Sequence, residues 1–186
     1  MEKRCPWADN ENQMQKYHDF EWGVPLHDDQ KLFEFLILDG FQAGLSWAII
    51  LKKREEFRLA FADFDYVTMA GYGQDQIDLI LSNHGIVRNR LKVGAAIKNA
   101  RGAITICKEY GSLDQYFWQF TGGKTIMNGW DDMKQIPPIS RESELMSRDL
   151  VRRGFSFVGP TICYAFMQAA GIVNDHLVDC FRYKQV

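Results

Sequence analysis

Long apolar runs are missing from this sequence, and no stretch approaches the roughly 18 consecutive apolar residues of a membrane helix. The amino-terminal segment from Met1 to Asp9 also lacks the apolar core of a secretory signal peptide. Cysteine is scarce, with 4 in 186 residues, which argues against a disulfide scaffold and leaves metal binding or simple burial as roles for the thiols. These absences predict a cytoplasmic protein with no membrane partner.

An excess of either charge is also missing. The chain has 22 Lys and Arg against 24 Asp and Glu, a formal net charge of −2, which excludes a protein that coats nucleic acid by bulk charge. Local binding of a few phosphates stays possible, because a basic run from Arg88 to Arg101 contains no acidic residue. That run is either a second phosphate contact or a solvated helix face. The length of 186 residues suits one domain, placed at residues 1–186.

Helical periodicity dominates what is present, and strand signals are few. The longest pattern runs from Val93 to Cys107 in steps of three and four and stops at Gly111. Another helical pattern ends at Gly154, after which Pro160 suits the first position of the next helix. The sequence therefore predicts an all-α fold.

Two expectations concern interruptions between the helices. Gly40 is expected to interrupt the helix that follows Asp29, and Ser46 is expected to cap the next one. Residues 121–139 contain three glycines and two prolines, and this composition predicts a long loop.

Cysteine and histidine occur in pairs near the two ends of the chain. His176 and Cys180 are four residues apart, so on a helix both side chains would project from one face. Cys5 and His18 supply a second pair. Two thiolates and two imidazoles suit tetrahedral Zn²⁺, and four protein ligands leave no open position, so such a zinc would be structural. The alternative is two buried thiols and two unrelated histidines.

Residues 152–161 lie between two helical patterns and combine glycine with positive charge. Gly154 permits a tight turn, and Gly159 precedes a helix amino terminus whose exposed N–H groups favour a phosphate. Arg152 and Arg153 add positive charge, and the Thr161 hydroxyl can donate a further hydrogen bond. This pattern predicts a helix-hairpin-helix element that holds a DNA backbone without reading its sequence. The alternative is a helix-ending glycine beside a solvated face.

Aromatic residues cluster around polar positions near the amino terminus. They are Trp7, Tyr17, Phe20, Trp22, Phe41 and Trp47. Such rings can sandwich a flat heterocycle and attract a positively charged one. Asp39 follows an apolar run, where a carboxylate is unexpected without a partner or a task. The pattern predicts an aromatic base pocket with a carboxylate; the alternative is that the rings are core and Asp39 lies at a helix end.

Several stretches in this order resemble the DNA-3-methyladenine glycosylase I family, from about Arg4 to Cys180. They are YHD at 17–19, EWGVP at 21–25, QAGLSW at 42–47, LKKRE at 51–55, RGF at 153–155, FVG at 157–159, TICY at 161–164 and VNDH at 173–176. The resemblance implies an all-α helix-hairpin-helix glycosylase fold, with termini joined by a structural zinc on Cys5, His18, His176 and Cys180. It also implies a monofunctional enzyme that flips 3-methyladenine out of alkylated double-stranded DNA and excises it.

The same resemblance implies a role for individual residues. Tyr17 and Trp47 would contact the flipped base, with Trp7 and Trp22 as walls of the pocket. Gly44 and Leu45 would probe the gap left in the duplex. The residues expected to hold the DNA backbone are Arg153, Gly154, Val158, Gly159 and Thr161. The partner is double-stranded DNA that contains alkylated purines, and the protein is expected to be a monomer.

Position 39 departs from the family pattern. The family characteristically has a glutamate before the glycine, whereas this chain has Asp39 before Gly40. Asp39 is the expected catalytic carboxylate, although it is one methylene shorter, and a hydrogen bond lengthened by that much requires a backbone shift or a bridging water. An alternative is therefore a damaged-DNA-binding module with the same fold and weak or lost catalysis. A zinc hydrolase would need an open coordination position, which four protein ligands exclude.

Overall fold

Helices account for most of the residues that the computed structural model describes, which are 3–8 and 11–186. The α-helices are α1 (Asn12–Phe20), α2 (Asp29–Gln42), α3 (Trp47–Lys52), α4 (Arg54–Ala60), α5 (Tyr66–Ala70), α6 (Gln74–Ser82), α7 (Arg90–Tyr110), α8 (Leu113–Trp118), α9 (Arg141–Arg152) and α10 (Pro160–Ala169). The prediction of an all-α fold is confirmed. None of the described helices is long and apolar enough to cross a lipid bilayer.

The predicted ends of the longest helix and of the last two agree with the structure. The Asn89 side chain accepts hydrogen bonds from the first amides of α7, and Gly111 ends that helix at φ +93°. Gly154 follows α9 at φ +89°, a backbone conformation that glycine adopts without steric cost. Pro160 is the first residue of α10, where its missing N–H leaves no helical acceptor unpaired.

Of the two predictions about interruptions, the one for Gly40 was wrong and the one for Ser46 was correct in position only. Gly40 lies inside α2, which continues to Gln42. The glycine serves packing instead, because a Cβ at this position would lie 3.3 Å from the Phe157 carbonyl oxygen. Ser46 precedes α3, but its side chain makes no capping hydrogen bond.

Residues 121–139 are mostly loop, as predicted, but they include a short strand. Ile126–Met127 (β1) pairs in parallel with Val173–Asn174 (β2). The pairing ties this loop to the segment that follows α10. A two-residue strand is too short to show an alternation of apolar and polar residues, so the sequence did not predict these strands.

The core lies around α2, which is buried along nearly its whole length. Helix α10 packs against α2 and α9, while α7 packs against α2, α5 and α8. This arrangement places the carboxyl end of α2 between α1, α3 and α10. Both termini meet on the same side, where the Phe181 amide donates to the Lys3 carbonyl at 2.9 Å.

Candidate active site and metal centre

Four side chains from the two ends of the chain converge in the interior. They are Cys5, His18, His176 and Cys180, all buried, with one ligand atom from each lying within 4.8 Å of the others. We call this group the quartet. Cys180 Sγ is 3.4 Å from His18 Nε2 and 3.6 Å from His176 Nδ1, and Cys5 Sγ is 3.7 Å from His176 Nδ1.

These spacings fit a tetrahedral ion. Zn–S bonds of about 2.3 Å and Zn–N bonds of about 2.0 Å at tetrahedral angles separate sulfur from nitrogen by about 3.5 Å. The donor set of two thiols and two imidazoles is also one that zinc prefers. The quartet therefore fits a structural zinc ion.

Each histidine of the quartet is oriented by a bond from its other ring nitrogen. His18 Nδ1 lies 2.8 Å from Asp19 Oδ1, and Arg4 in turn donates to the Asp19 carboxylate. His176 Nε2 lies 3.0 Å from the Trp22 carbonyl oxygen. Protons on these outer nitrogens leave lone pairs on His18 Nε2 and His176 Nδ1, which face the thiols as metal ligation requires. The Cys5 N–H also approaches His18 Nε2, at 3.3 Å.

The thiols of the quartet are already electronically unequal. The hydrogen bond between them raises the pKa of Cys5 and lowers the pKa of Cys180. One thiolate is therefore easily formed, and a cation at the centre would displace the remaining proton.

The side chains of His176 and Cys180 come together through a different local structure from the helix that was predicted. The residues from Asp175 to Cys180 are not helical. The two side chains meet because the chain turns, with the Cys180 amide donating to the Leu177 carbonyl at 2.8 Å. The pairing was predicted correctly, but on the wrong local structure.

A cavity of about 420 Å³ opens beside the quartet, and we call it the base pocket. Its lining residues are Trp7, Met14, Tyr17, Trp22, Asp39, Gln42, Trp47, Met133, Ile136, Pro137, Pro138, Thr161, Tyr164, Ala165 and Gln168. The walls are thus mostly aromatic and aliphatic, with few polar groups, as in sites that orient a flat ligand.

Four of the predicted aromatic residues form one wall of the base pocket. The rings of Trp7 and Trp22 lie 5.0 Å apart, nearly perpendicular, and those of Tyr17 and Trp47 lie 5.3 Å apart. The other two lie elsewhere: the Phe20 side chain is 75% exposed, and Phe41 packs into the core. Phe41 is two residues after Asp39 and therefore projects from the opposite face of α2, whereas Phe20 is the last residue of α1 and its side chain faces solvent.

Two polar atoms in the base pocket have no hydrogen-bond partner within the described chain. They are Asp39 Oδ2 and Trp47 Nε1, both buried. Burial raises the pKa of Asp39 well above its usual range, because the charged form loses its hydration. Burial, and then the nearby Asp39, also raise the pKa of Tyr17. The pocket therefore presents one open acceptor and one open N–H donor to a ligand.

Two segments flank the mouth of the base pocket. In the 43–46 turn, Gly44 has φ +80° and the Leu45 side chain is 37% exposed. In the 153–159 hairpin, Gly154 and Gly159 bracket the turn between α9 and α10, while Val158 is buried and its carbonyl accepts from Ser147. Thr161 is exposed in the first turn of α10, where amides lack helical acceptors.

Arg153 does not lie where the charge pattern suggested. Its guanidinium pairs with Glu109 and Asp149, and its side chain is only 14% exposed. The basic run is likewise largely engaged within the protein: Arg90 pairs with Asp78, and Lys92 is buried. A linear sequence shows the cations but not the acceptors that folding brings to them.

The Asp175 carboxylate is hydrogen-bonded to other side chains within the protein. Its buried carboxylate accepts hydrogen bonds of 2.7 Å from four side chains, which are Asn128, Trp130, Tyr164 and Gln168. Tyr164 and Gln168 line the base pocket. Asp175 directly precedes His176 of the quartet, and these hydrogen bonds indicate that it supports the fold around the quartet and the base pocket.

One side of the base pocket comes from residues that the sequence did not single out. Met133, Ile136, Pro137 and Pro138 cover the pocket from the 121–139 loop. Met14 contributes from α1. The only available signal was the length of the loop, since unusually long loops often cover a site.

Comparisons with known proteins agree with this arrangement. The family model described as methyladenine glycosylase matches residues 7–183. A DNA-3-methyladenine glycosylase of Haemophilus influenzae is 43% identical over 180 residues, 97% of either chain. The DNA-3-methyladenine glycosylase 1 of Escherichia coli is 41% identical over 181 residues, again 97% of either chain.

Solved structures show the same fold. A crystal structure of a 3-methyladenine DNA glycosylase I superposes with a TM-score of 0.94 at 42% identity, covering 96% of this chain and 98% of that one. A Staphylococcus aureus structure, described as giving the structural basis of 3-methyladenine recognition, has a TM-score of 0.93 at 34% identity and covers 96% and 95%. The chain therefore belongs to the methyladenine glycosylase family.

Proposed function

We propose that this protein excises 3-methyladenine from alkylated double-stranded DNA by hydrolysing the bond between base and sugar. The observation that carries the proposal is the base pocket, in which aromatic walls surround an unpartnered acceptor at Asp39 and an unpartnered donor at Trp47. Buried polar atoms without partners are rare in folded proteins and are expected where a ligand supplies the partner. The names of the relatives, and their similarity over nearly the whole chain, support the choice of base.

The reaction needs little acid catalysis. An N3-methylated adenine in DNA is cationic, so it leaves as a neutral purine when the C1′–N9 bond breaks. Water then adds to C1′ and releases a proton to solvent. The main tasks of the protein are to hold the base outside the duplex, which costs a few kcal/mol, and to exclude competing bases.

The pocket residues suit these tasks. Tyr17 and Trp47 offer ring faces to a cationic heterocycle, with Trp7 and Trp22 behind them. Asp39 would accept a hydrogen bond from the exocyclic amino group of adenine. A cationic base beside Asp39 favours its ionised form, so burial and ligand charge act in opposite directions on this carboxylate. Guanine has a carbonyl at the corresponding edge, which an ionised Asp39 would repel.

The DNA-binding segments are proposed on geometry and charge. Gly44 and Leu45 would enter the gap left by the flipped base. The hairpin amides of Val158 and Gly159 and the Thr161 hydroxyl would face the backbone phosphates. The Gly154 N–H donates to the Val151 carbonyl at 2.9 Å, so Gly154 would contribute the tight turn that brings the hairpin to the backbone. Arg153 would support the hairpin from behind through its ion pairs. Since one chain carries all of these residues, a monomer suffices.

We also propose that the quartet holds one structural Zn²⁺. Its spacing, burial and donor set fit that ion, and four protein ligands leave no site for a reacting water. The ion would supply stability by joining the two ends of the chain. It would take no part in base excision.

The test is release of bases from methylated duplex DNA. Purified protein is incubated with the DNA, and the liberated purines are separated and quantified. We expect 3-methyladenine release by the wild-type protein and by Asp78→Asn, which changes an exposed carboxylate outside the pocket. Asp39→Asn should release the base on the order of 10-fold more slowly.

The same assay separates the alternative. Binding of abasic or methylated duplex with no release of any methylated purine would show that the protein is a damaged-DNA-binding module. In that case Asp39→Glu, which restores the missing methylene, should gain activity. Release by the wild-type protein with no gain in Asp39→Glu supports the glycosylase.

A further inference from the structure

Two side chains on one face of α7 hold the two segments that flank the base pocket. Lys92 contacts the end of α2, directly before the 43–46 turn, and Asn99 contacts the 153–159 hairpin. They are seven residues apart, two helical turns, and therefore project from the same face. A single rigid helix thus connects both segments.

Lys92 binds the carboxyl end of α2. Its ammonium donates to the carbonyl oxygens of Phe41 at 2.8 Å and Ala43 at 2.6 Å. Both carbonyls lie at the end of the helix, where acceptors lack helical partners and the helix dipole attracts a cation. The side chain is only 7% exposed, so Lys92 is placed to hold the 43–46 turn and not to meet solvent or a phosphate.

Asn99 binds the hairpin in a comparable way. Its amide nitrogen donates to the Ser156 carbonyl oxygen at 2.9 Å, and its amide oxygen accepts from the Ser156 N–H at 2.9 Å. The pair satisfies both backbone groups of one hairpin residue. Asn99 is itself buried, which makes the contact costly to break.

The two contacts meet at Phe157. This residue has φ +57°, a conformation that costs a non-glycine residue about 1–2 kcal/mol unless its surroundings impose it. Its ring centroid lies 5.9 Å from the Lys92 ammonium, and its carbonyl lies against Gly40 in α2. The hairpin, α2 and α7 are therefore packed into one junction.

We propose that Lys92 and Asn99 are positioning residues that fix the distance between the 43–46 turn and the 153–159 hairpin, so that both engage one damaged duplex at once. The inference rests on the proposed function of these segments. It assigns to Lys92, within the basic run of α7, a role in geometry in place of direct contact with phosphate. Losing either contact should uncouple insertion of the turn from grip on the backbone.

The first experiment measures the variant Lys92→Met, which keeps the length of the side chain and removes the ammonium. The probe is a duplex with an abasic-site analogue and 2-aminopurine beside it, whose fluorescence rises when the base is unstacked. We expect affinity to fall on the order of 10- to 100-fold, with a smaller rise in fluorescence at saturation. Binding of free 3-methyladenine should change less than twofold, because the pocket residues are untouched.

The matched control is Lys53→Met. Lys53 also donates to two backbone carbonyls, those of Gly85 at 2.7 Å and His84 at 3.4 Å, but away from both DNA-binding segments. This variant should bind the duplex and unstack 2-aminopurine as the wild-type protein does. Equal losses in Lys53→Met and Lys92→Met would overturn the proposal in favour of a general effect on folding.

A double-mutant cycle with Leu45→Ala tests whether Lys92 acts through the turn. If it does, the losses in duplex affinity will be strongly non-additive, since the second change removes what the first has already disabled. Lys53→Met combined with Leu45→Ala should be additive. Additive losses for Lys92→Met would overturn the proposal.

Salt dependence separates positioning from direct charge contact. A lysine that neutralises a phosphate contributes about −0.9 to the slope of log affinity against log salt. Lys92→Met should leave this slope unchanged while lowering affinity. A slope reduced in size by about one would show a direct phosphate contact and contradict the inference.

A second variant, on the other segment, covers the case in which Lys92→Met fails to fold. Asn99→Asp keeps the acceptor for the Ser156 N–H and removes the donor to the Ser156 carbonyl, and it should show the same loss of affinity at an unchanged binding constant for free base. A wild-type protein that binds the duplex without releasing base would overturn the proposed function alone. One that binds no abasic duplex would overturn both.

Discussion

The quartet and the base pocket are neighbouring buried regions that differ in whether their polar groups have hydrogen-bond partners. In the quartet region each histidine has an oriented outer nitrogen, and nearby Asp175 accepts four hydrogen bonds. In the base pocket, Asp39 Oδ2 and Trp47 Nε1 have no partner among the described residues. The comparison separates groups that stabilise the fold from groups reserved for a ligand.

The two regions share a wall. Trp22 supplies its carbonyl to His176 and its ring to the base pocket, and its ring lies 4.6 Å from that of His176. Trp7 likewise lies between Tyr17 and His18. The region around the quartet, whose polar groups are hydrogen-bonded, therefore holds in place the aromatic wall of the base pocket.

The largest expected effect is on the quartet. Cys180→Ser removes one thiolate, and we expect loss of bound zinc and a fall in melting temperature of roughly 10 °C or more, as for a buried group left without its partner. The control is Cys107→Ser, a half-buried thiol outside the quartet. The measurements are metal content per chain and thermal unfolding; retention of one zinc at an unchanged melting temperature would contradict the assignment.

Asp175→Asn is the next test. The new amide group would face side chains that already donate, such as Tyr164 and Gln168 or Asn128 and Trp130. We expect a loss of about 2–4 kcal/mol in the free energy of unfolding. Chemical denaturation measures it. A change in the free energy of unfolding below 0.5 kcal/mol, the usual range for surface substitutions, would mean that the hydrogen bonds to Asp175 do not stabilise the fold.

The same substitution at Asp39 should have the opposite sign. Burial raises the pKa of Asp39, so its favourable contribution to stability is complete below the ordinary aspartate pKa and is lost as pH rises through the raised value. Asp39→Asn should therefore unfold at a higher temperature than the wild-type protein at neutral or higher pH, and the difference should shrink in acid.

Excision should follow the ionised form of Asp39. We expect the wild-type rate to rise with pH through the raised pKa and the Asp39→Asn rate to be slower and flat over that range. Rates on methylated duplex, measured from mildly acidic to mildly alkaline pH, provide the check. Parallel pH profiles for the two proteins would show that Asp39 is not the group that titrates.

The comparison also explains what the sequence could and could not predict. The quartet was predictable because metal ligation requires particular residue types, whatever the backbone between them, and even a wrong helix assignment left the pairing right. Helix α7 was predictable because its periodicity is local. The covering loop with Met133 and Pro137 was not, since it has no period and reaches the base pocket only through long-range packing.

Charge was the least predictable property, because pairing depends on tertiary structure. Arg153 and Arg90 are engaged with acidic partners, and Lys92 with carbonyls. Gly40 shows the same limit for packing: it reads as a helix interruption and instead admits Phe157. In each case the deciding neighbour is far away in sequence.

The smallest expected effect concerns salt. Because Arg153, Arg90 and Lys92 are engaged within the described chain, we expect duplex affinity to fall with salt at a shallow slope of roughly −2 to −4 in log–log form, corresponding to a few neutralised phosphates. Lys98 is exposed beside the hairpin, 3.4 Å from the Ser156 hydroxyl, so Lys98→Met should reduce the size of the slope by about one. Arg153→Met should leave the slope unchanged, since its guanidinium is occupied within the protein. A wild-type slope near −8 would instead place many phosphates on the surface and show that DNA is held by charge, with the amides of the hairpin in a minor role.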